Sequence, residues 1–453
     1  MRSAYFPVNR TQPRLPLRGW IVTALVGLFA SSCSQAGVVL GQMPVDLAEP
    51  KGIEVGFNHR TVSRYRSPLS GAWRNGDNLE QMLINAIQSA ETEILVAVQE
   101  LSLPRIAESL VAASRQGVNV KVILENNYST PWSQQHELDL SSHGRQRLQR
   151  LSALADQDQN GVVSPEEARN HDALLILQHG QIAWIDDTED GSKGSGLMHH
   201  KFVVIDGERV ITGSANFTNS GMHGDAGATQ TRGNVNHLIS IQSPTLATVF
   251  KEEFAQMWGD GPGGSNNSRF GRNKTAQRLR TVKVGSMNVS VLFPPHAKTQ
   301  SGHGIDLIED QLGGAKKTID LALFVFSAQQ LTNKLAERIS AGVKLRLLAD
   351  PGFASRSFSE VLDLLGVALP DGPSALASAP SSGAVASQLP PPSRSSAQPS
   401  APSKNASSAA SASSSPAPLS AGQGTCISST SLKSSGSGPE TTAPISSVDR
   451  SDI

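Results

Sequence analysis

Two histidines and a lysine stand at the start of an apolar run within residues 197–217, LMHHKFVVIDGERVITGSANF. The segment KFVVID predicts a strand, Asp206 begins a turn, and RVIT predicts the returning strand of a β-hairpin. Because side chains alternate along a strand, His199 and Lys201 are expected on one face and His200 on the other. His200 is therefore interpreted as a packing residue, with a supporting role behind the site as the alternative.

The groups around this hairpin suit an anionic tetrahedral ligand. Gly213 ends the returning strand where the backbone must approach another group closely, and Ser214 and Asn216 follow on the side of His199 and Lys201. An imidazole, an ammonium, a hydroxyl and an amide can hold phosphate oxygens and place a nucleophile against phosphorus. The residue types therefore predict phosphoryl chemistry.

The spacing of these residues resembles the HKD motif of the phospholipase D superfamily. The pattern reads His199-x-Lys201, four residues, Asp206, six residues, and then GSxN at residues 213–216. The resemblance extends over about residues 56–260 and 286–370, and it includes the polar segment NVNHL downstream of the motif, with Asn234 and Asn236. It implies an α/β fold of phospholipase D-like repeats, each a mixed β-sheet flanked by helices.

The resemblance also implies a role for each motif residue. His199 would be the nucleophile that forms a phosphohistidine, and Lys201 would neutralise the non-bridging phosphate oxygens. Ser214 and Asn216 would bind the phosphate or orient the imidazole. Asp206 is interpreted as a structural anchor near the turn rather than as a proton carrier. The chemistry implied in this way uses no metal ion.

A strand–helix–strand pattern occurs twice along the chain. Residues 90–125 align without gaps onto residues 315–350, which indicates an internal duplication of a parallel βαβ unit. A further helix is expected over residues 77–87, with Asp77 able to cap it.

The second copy has no second HKD motif at the expected place. The offset between the copies puts such a motif near residue 424, where the sequence is AGQGTCISST. The second repeat is therefore predicted to be incomplete, through loss, replacement by another domain, or translation in a shifted frame. Since two facing motifs normally share the acid and base work, we expect weak or absent activity. A homodimer is the alternative source of a second motif, although the partial repeat would occupy the pairing surface.

Residues 156–167, DQDQNGVVSPEE, fit an EF-hand calcium loop with Gly161 at position six. The alternative is a helix-capping box over residues 164–167, which accounts for the end of the loop but not for its beginning. A lone loop outside the cytoplasm would bind Ca²⁺ weakly, on the order of 10⁻⁴ to 10⁻³ M, and would stiffen an insert beside the active site. The predicted ligands are Asp156, Asp158, Asn160, the carbonyl of Val162, Ser164 through water, and Glu167.

The remaining segments suggest an exported protein. Basic residues precede the apolar segment at residues 20–30, and small residues then precede Cys33, which resembles a bacterial lipoprotein signal. Ordinary signal cleavage and an uncleaved anchor are the alternatives, so a periplasmic, lipoprotein or secreted location is expected. The predicted organisation is a signal at 1–33, a linker at 34–55, a first domain at 56–260 with an insert at about 145–175, a basic, glycine-rich linker at 261–285, a partial repeat at 286–370, and a disordered Ser/Ala/Pro-rich tail at 371–453.

The charge balance leaves several substrates open. Lys and Arg together number 39, as do Asp and Glu, so no global field favours nucleic acid. The basic linker is interpreted as solvated, with contact to a phosphate-bearing surface as the alternative. We expect a phosphodiesterase that acts on phospholipid or a related diester, with a membrane surface as a further partner. The alternatives are an endonuclease of the same superfamily and an inactive calcium- and phosphate-binding surface lipoprotein.

Overall fold

A computed structural model of the chain describes residues 52–192, 197–224, 233–275, 278–297 and 300–366. The predicted signal sequence and the Ser/Ala/Pro-rich tail both lie outside these ranges. Within them, no helix has the length and apolar character that a membrane crossing requires.

Strands and helices alternate through the first half of the described chain. The strands are β1 (Ile53–Phe57), β2 (Arg64–Arg66), β3 (Trp73–Asn75), β4 (Glu93–Val98), β5 (Asn119–Leu124), β6 (Ala183–Asp186), β7 (Lys201–Ile205), β8 (Arg209–Gly213), β9 (His237–Gln242), β10 (Arg280–Val284), β11 (Met287–Val291), β12 (Thr318–Leu323) and β13 (Lys344–Ala349). The α-helices are α1 (Leu79–Gln88), α2 (Pro104–Arg115), α3 (Ser142–Ala155), α4 (Pro165–His171), α5 (Ala173–His179), α6 (Asn219–Met222), α7 (Pro244–Trp258), α8 (Gly304–Gly313), α9 (Gln329–Ser340), α10 (Pro351–Ala354) and α11 (Glu360–Leu364). Short 3-10 helices cover Asn126–Tyr128, Trp132–Gln134, Glu137–Asp139, Glu189–Gly191 and Gly271–Asn273.

A seven-stranded mixed sheet forms the centre of the structure, in the order β1-β9-β8-β7-β4-β5-β6. Strands β4, β5 and β6 run parallel, whereas β7 is antiparallel to β4 and starts the antiparallel half. Helices flank this sheet, so the predicted α/β class with a mixed sheet is confirmed. Because Val98 pairs with Lys201, the start of β7 lies at the edge where β4 ends.

The predicted hairpin is formed by β7 and β8. Its turn contains Asp206 with φ of 53° and Gly207 with φ of 64°. Left-handed backbone of this kind is tolerated best by Gly, Asn and Asp, which explains why these two residues close the hairpin. The turn leaves Ile205 opposite Arg209 and therefore sets the register of both strands.

Both faces of β7 are buried, which explains its continuous apolar sequence. Val203 and Ile205 pack in one core with α1, α2 and α5. Phe202 and Val204 pack in a second core with α7 and the β10–β11 hairpin. The strand that carries His199 and Lys201 at its start is therefore held from both sides of the sheet.

The internal duplication is visible as a second parallel unit, β12–α9–β13. Each boundary lies 225 residues after its counterpart, as for Glu93 and Thr318 at the strand starts and Leu124 and Ala349 at the strand ends. Both units end their helix with a glycine of positive φ, Gly117 at 93° and Gly342 at 87°. The second unit has its own small core beneath α8, α9 and α11.

The predicted N-terminal cap of α1 differs from the structure. The cap of α1 is Asn78, whose side chain accepts the N–H of Gln81, so the prediction of Asp77 as the cap was wrong. Asp77 instead accepts the N–H of Phe57 and pairs with Arg60 at 2.7 Å, because it lies one residue too early to reach the first turn.

Part of the predicted basic linker is packed rather than solvated. Phe270 is buried in the core that covers the second face of the sheet. Lys274 forms an ion pair with the buried Glu253, and the β10–β11 hairpin packs beside α7. Residue spacing and composition could not predict this packing, because the residues that the linker contacts lie elsewhere in the sequence.

Candidate active site

The nucleophile candidate His199 directly precedes β7, and Lys201 is the first residue of that strand. Lys201 is buried, and its Nζ donates to the His199 carbonyl at 3.0 Å. The ammonium therefore lies against the backbone that carries the imidazole. This arrangement places a positive charge beside His199, as phosphate binding requires.

Gln99, which sequence reasoning missed, joins two of the predicted site residues. Its Oε1 accepts from Lys201 Nζ at 3.4 Å and from Asn216 Nδ2 at 3.0 Å. Gln99 follows the last residue of β4, next to the start of β7. A polar residue at the end of a buried strand was the signal available in the sequence, but its two partners are more than a hundred residues away.

Ser214 belongs to a second set of hydrogen bonds at the same edge. Its Oγ donates to Asn236 Oδ1 at 2.9 Å and accepts the backbone N–H of His237 at 3.1 Å. The His237 ring nitrogen Nδ1 lies 3.2 Å from the same oxygen. The Ser214 hydroxyl therefore links Asn236 and His237 at this edge.

Asp206 lies at the far end of β7, about 16 Å from Lys201 at the usual rise per strand residue. Its carboxylate accepts backbone N–H groups from Glu91, Thr92 and Glu93 and the Thr92 hydroxyl. Burial would raise the pKa of Asp206, but these donors hold it below its usual range. These contacts are those of a structural anchor, and Asp206 lies away from Lys201 at the opposite end of β7.

The electrostatics around His199 favour a neutral imidazole. Burial, and then the positive charge of Lys201 and the neighbouring His200, lower the pKa of His199 to about 3. A histidine of this kind is unprotonated at neutral pH and keeps a lone pair for attack on phosphorus.

His200 lies on the back face, as alternation predicts. Its Nε2 donates to Glu253 Oε1 at 3.0 Å, and its ring packs edge-on against Phe202 and Phe293. Lys274 pairs with the same carboxylate. Although burial opposes it, the bonds from His200 and Lys274 lower the pKa of Glu253 to about 2.

Asp187, which sequence reasoning missed, holds the segment before His199. Asp187 accepts the N–H of Asn126 at 2.9 Å through one oxygen and the N–H of Met198 at 3.0 Å through the other. Glu125 is buried nearby, and burial followed by the Asp187 charge raises its pKa to about 7. The carboxylate of Asp187 therefore positions Met198, the residue adjacent to His199.

The predicted calcium loop lies between α3 and α4. Asp156, Asp158 and Glu167 offer oxygens that all lie within 4.8 Å of one another, as no other set of three His, Cys, Asp or Glu residues does among the described residues. Gly161 has φ of 84°, which position six of such a loop needs. The capping-box alternative is also present, because Glu167 accepts from Ser164 N at 2.8 Å.

Residues 83–258 match the family described as "Cardiolipin synthase, PLD-like domain". That range contains the whole HKD pattern and most of the central sheet, so the similarity covers the region in which the candidate site lies.

Individual relatives are similar over the same region. A mitochondrial cardiolipin hydrolase of Xenopus tropicalis is 24% identical over 182 residues, which cover 40% of this chain and 62% of that protein. A phospholipase D of Rickettsia felis is 23% identical over 241 residues, covering 53% of this chain and 90% of its own. The chain thus spans less than two thirds of the length of the cardiolipin hydrolase.

Two solved structures align with part of this chain. The phospholipase D family member Nuc from Salmonella typhimurium aligns at 20% identity with a TM-score of 0.27, covering 46% of this chain and 95% of Nuc. NucT from Helicobacter pylori aligns at 13% identity with a TM-score of 0.24, covering 47% of this chain and 99% of NucT.

Proposed function

We propose that this protein is a phosphodiesterase that hydrolyses phospholipid or a related phosphodiester through a phosphohistidine on His199. The observation that carries the proposal is that Gln99 joins the Lys201 amino group to the Asn216 amide, while the same amino group contacts the backbone carbonyl of His199. Burial keeps the His199 imidazole neutral. The names of the relatives, phospholipase D and cardiolipin hydrolase, support a lipid substrate. Hydrolysis of DNA or RNA is the alternative.

The reaction proceeds in two displacements. His199 attacks phosphorus, the P–N bond forms, and the bond to the leaving oxygen breaks, so that oxygen needs a proton. Water then attacks phosphorus and loses a proton to a base or to solvent, the P–N bond breaks, and the imidazole is released with its lone pair. Lys201 and Asn216 neutralise the charge that develops on the non-bridging oxygens in both steps.

The first displacement requires a proton donor for the leaving oxygen. A second HKD motif is expected to supply it, and the position predicted for that motif lies outside the described residues. We therefore propose slow turnover for this chain as a monomer, with a homodimer as a second source of the missing group. An inactive surface protein that binds calcium and phosphate is the remaining alternative.

Hydrolysis of phosphatidylcholine vesicles and of plasmid DNA, measured side by side with and without a chelator, tests this proposal. We expect release of the lipid headgroup at a low rate, no nicking of DNA, and no loss of the chemical step on chelation. Faster cleavage of DNA than of lipid would favour the endonuclease. Absence of both activities, together with absence of phosphohistidine, would contradict the proposal.

We also propose that the loop at 156–167 binds Ca²⁺ and stiffens the insert. Asp156, Asp158, Asn160, Ser164 and Glu167 supply side-chain oxygens, and Val162 supplies its carbonyl, which is the oxygen-rich set that Ca²⁺ prefers. Helix α3, which ends at the loop, reaches the active-site edge through Arg147. Its Nε donates to Glu100 at 2.7 Å, and Glu100 adjoins Gln99.

Isothermal titration is expected to give a dissociation constant on the order of 10⁻⁴ to 10⁻³ M for Ca²⁺. Asp156→Asn should weaken binding about tenfold or more, because it removes one of the few anionic ligands. Glu108→Gln, a change of an exposed acid on α2, serves as the control and should have no effect. Absence of heat at millimolar Ca²⁺ would remove this proposal.

Export is a further proposal. The basic and apolar pattern that ends at Cys33 supports a periplasmic, lipid-anchored or secreted protein. Metabolic labelling with a radioactive fatty acid, compared between the wild type and Cys33→Ser, would separate a lipoprotein from the other two.

A further inference from the structure

The end of β1, the segment that follows it and the β2–β3 hairpin carry exposed apolar and basic side chains beside the active site. Trp73 is 62% exposed, and Val62 and Phe57 are 51% and 44% exposed. Large apolar side chains left exposed within one short segment of chain make that segment a candidate interaction site. We call Phe57, Val62, Arg64, Arg66 and Trp73 the hairpin surface.

Two exposed arginines give this surface a basic character. The chain contains no Asp or Glu between Glu54 and Asp77, and of the four arginines there Arg60 pairs with Asp77 and Arg74 is buried. Arg64 and Arg66 are exposed; Arg66 lies opposite Trp73 in the hairpin, and Arg64 lies opposite Asn75. The Arg64 guanidinium lies 4.7 Å from the centre of the Trp73 ring, so charge and aromatic surface form one unit.

The opposite face of the hairpin is attached to the active-site edge. The Tyr65 hydroxyl donates to the Met222 carbonyl at 3.2 Å and lies 2.9 Å from His223 Nδ1. Both partners belong to the segment that follows the GSxN part of the motif. The Phe57 ring lies 6.2 Å from the ring of His237, which contacts Ser214.

We propose that the hairpin surface docks the protein onto an anionic phospholipid bilayer and brings the active site to its lipid substrate. Tryptophan and phenylalanine enter the interfacial region of a bilayer, and arginine binds the phosphate groups there. The inference rests on the proposed function, because it assigns the substrate class to a lipid surface.

The composition of the surface favours a bilayer over nucleic acid. Val62 offers no stacking face to a base, although it adds apolar area that a bilayer can bury. Arg64 already covers one face of the Trp73 indole, which leaves less of it for stacking. The equal totals of acidic and basic residues give no wider field that would attract a polyanion along its length.

Flotation of the full-length protein with vesicles of phosphatidylcholine, alone or with phosphatidylglycerol, tests the proposal. We expect tighter binding to the anionic vesicles, and we expect Trp73→Ser to weaken it about tenfold. Arg64→Gln and Arg66→Gln should each weaken it about fivefold, with a smaller effect at high salt. Leu138→Ser and Lys344→Gln, which change exposed residues outside the hairpin surface, are the matched controls.

Several outcomes separate this proposal from others. An anchor elsewhere in the chain adds the same affinity to every variant, so the difference between variants isolates the hairpin surface. Equal binding by Trp73→Ser and Leu138→Ser would overturn the proposal. Loss of single-stranded DNA binding in the hairpin variants, with vesicle binding unchanged, would overturn it in favour of nucleic acid.

Vesicle binding and catalysis can be measured separately. Vesicle binding requires no turnover, whereas hydrolysis of the dissolved diester bis(p-nitrophenyl) phosphate requires no membrane. Hydrolysis of the dissolved diester without vesicle binding would refute the hairpin surface alone. Vesicle binding through the hairpin without any hydrolysis would refute the proposed function alone.

Discussion

His199→Ala is expected to abolish phosphodiester hydrolysis, with a loss of at least about a thousandfold, because the nucleophile of a covalent mechanism is removed. The most informative substrate for this test is bis(p-nitrophenyl) phosphate. Its leaving group departs without a proton donor, so the reaction reports on His199 even where the second motif is missing. The measurements are the rate of p-nitrophenol release and rapid-quench detection of an acid-labile phosphoryl group on the protein.

His179→Ala is the matched control for this experiment. His179 is exposed at the end of α5. The His179→Ala variant should therefore retain the wild-type rate of hydrolysis and the wild-type level of phosphoryl labelling. A wild-type rate for His199→Ala would contradict the assignment of the nucleophile. Comparison with a lipid substrate adds a second result. Fast release of p-nitrophenol together with slow lipid hydrolysis would locate the deficiency in protonation of the leaving oxygen.

Lys274→Met is expected to destabilise the fold by about 3–5 kcal/mol, because it leaves the buried Glu253 carboxylate without its cationic partner. The remaining bond from His200 is a neutral donor and cannot replace the lost charge. Glu253→Leu combined with Lys274→Met should lose less stability than Lys274→Met alone, since it removes the buried charge as well. Urea unfolding monitored by circular dichroism measures both differences.

The control for this prediction is an ion pair in water. Arg346 and Asp320 pair at 2.5 Å on the exposed face of β12 and β13, so Arg346→Met should leave the unfolding midpoint unchanged. Because the pKa of Glu253 is about 2 rather than its usual 4.5, the ionised carboxylate makes its full contribution to the free energy of unfolding above about pH 4.5. The contribution is lost as pH falls towards 2. Equal effects of Lys274→Met and Arg346→Met would contradict the buried ion pair.

Local patterns in the sequence predicted the elements of the central unit well. Alternation, glycine positions and apolar runs identified the β7–β8 hairpin and both parallel units, because each signal depends on neighbours a few residues apart. The predicted N-terminal cap of α1 was wrong by one residue, since the cap is Asn78 and not Asp77. Asp77 and Asn78 are both good caps, and only the distance to the first free N–H groups decides between them.

The sequence by itself determined the HKD pattern, the alternation that separates His199 and Lys201 from His200, and the duplication with its offset of 225 residues. Only the tertiary structure decided that Gln99 joins Lys201 to Asn216, that Asp187 holds the segment before His199, and that Lys274 neutralises Glu253 behind it. These contacts connect residues far apart along the chain, and burial determines their strength. No local periodicity records which distant side chains folding brings together.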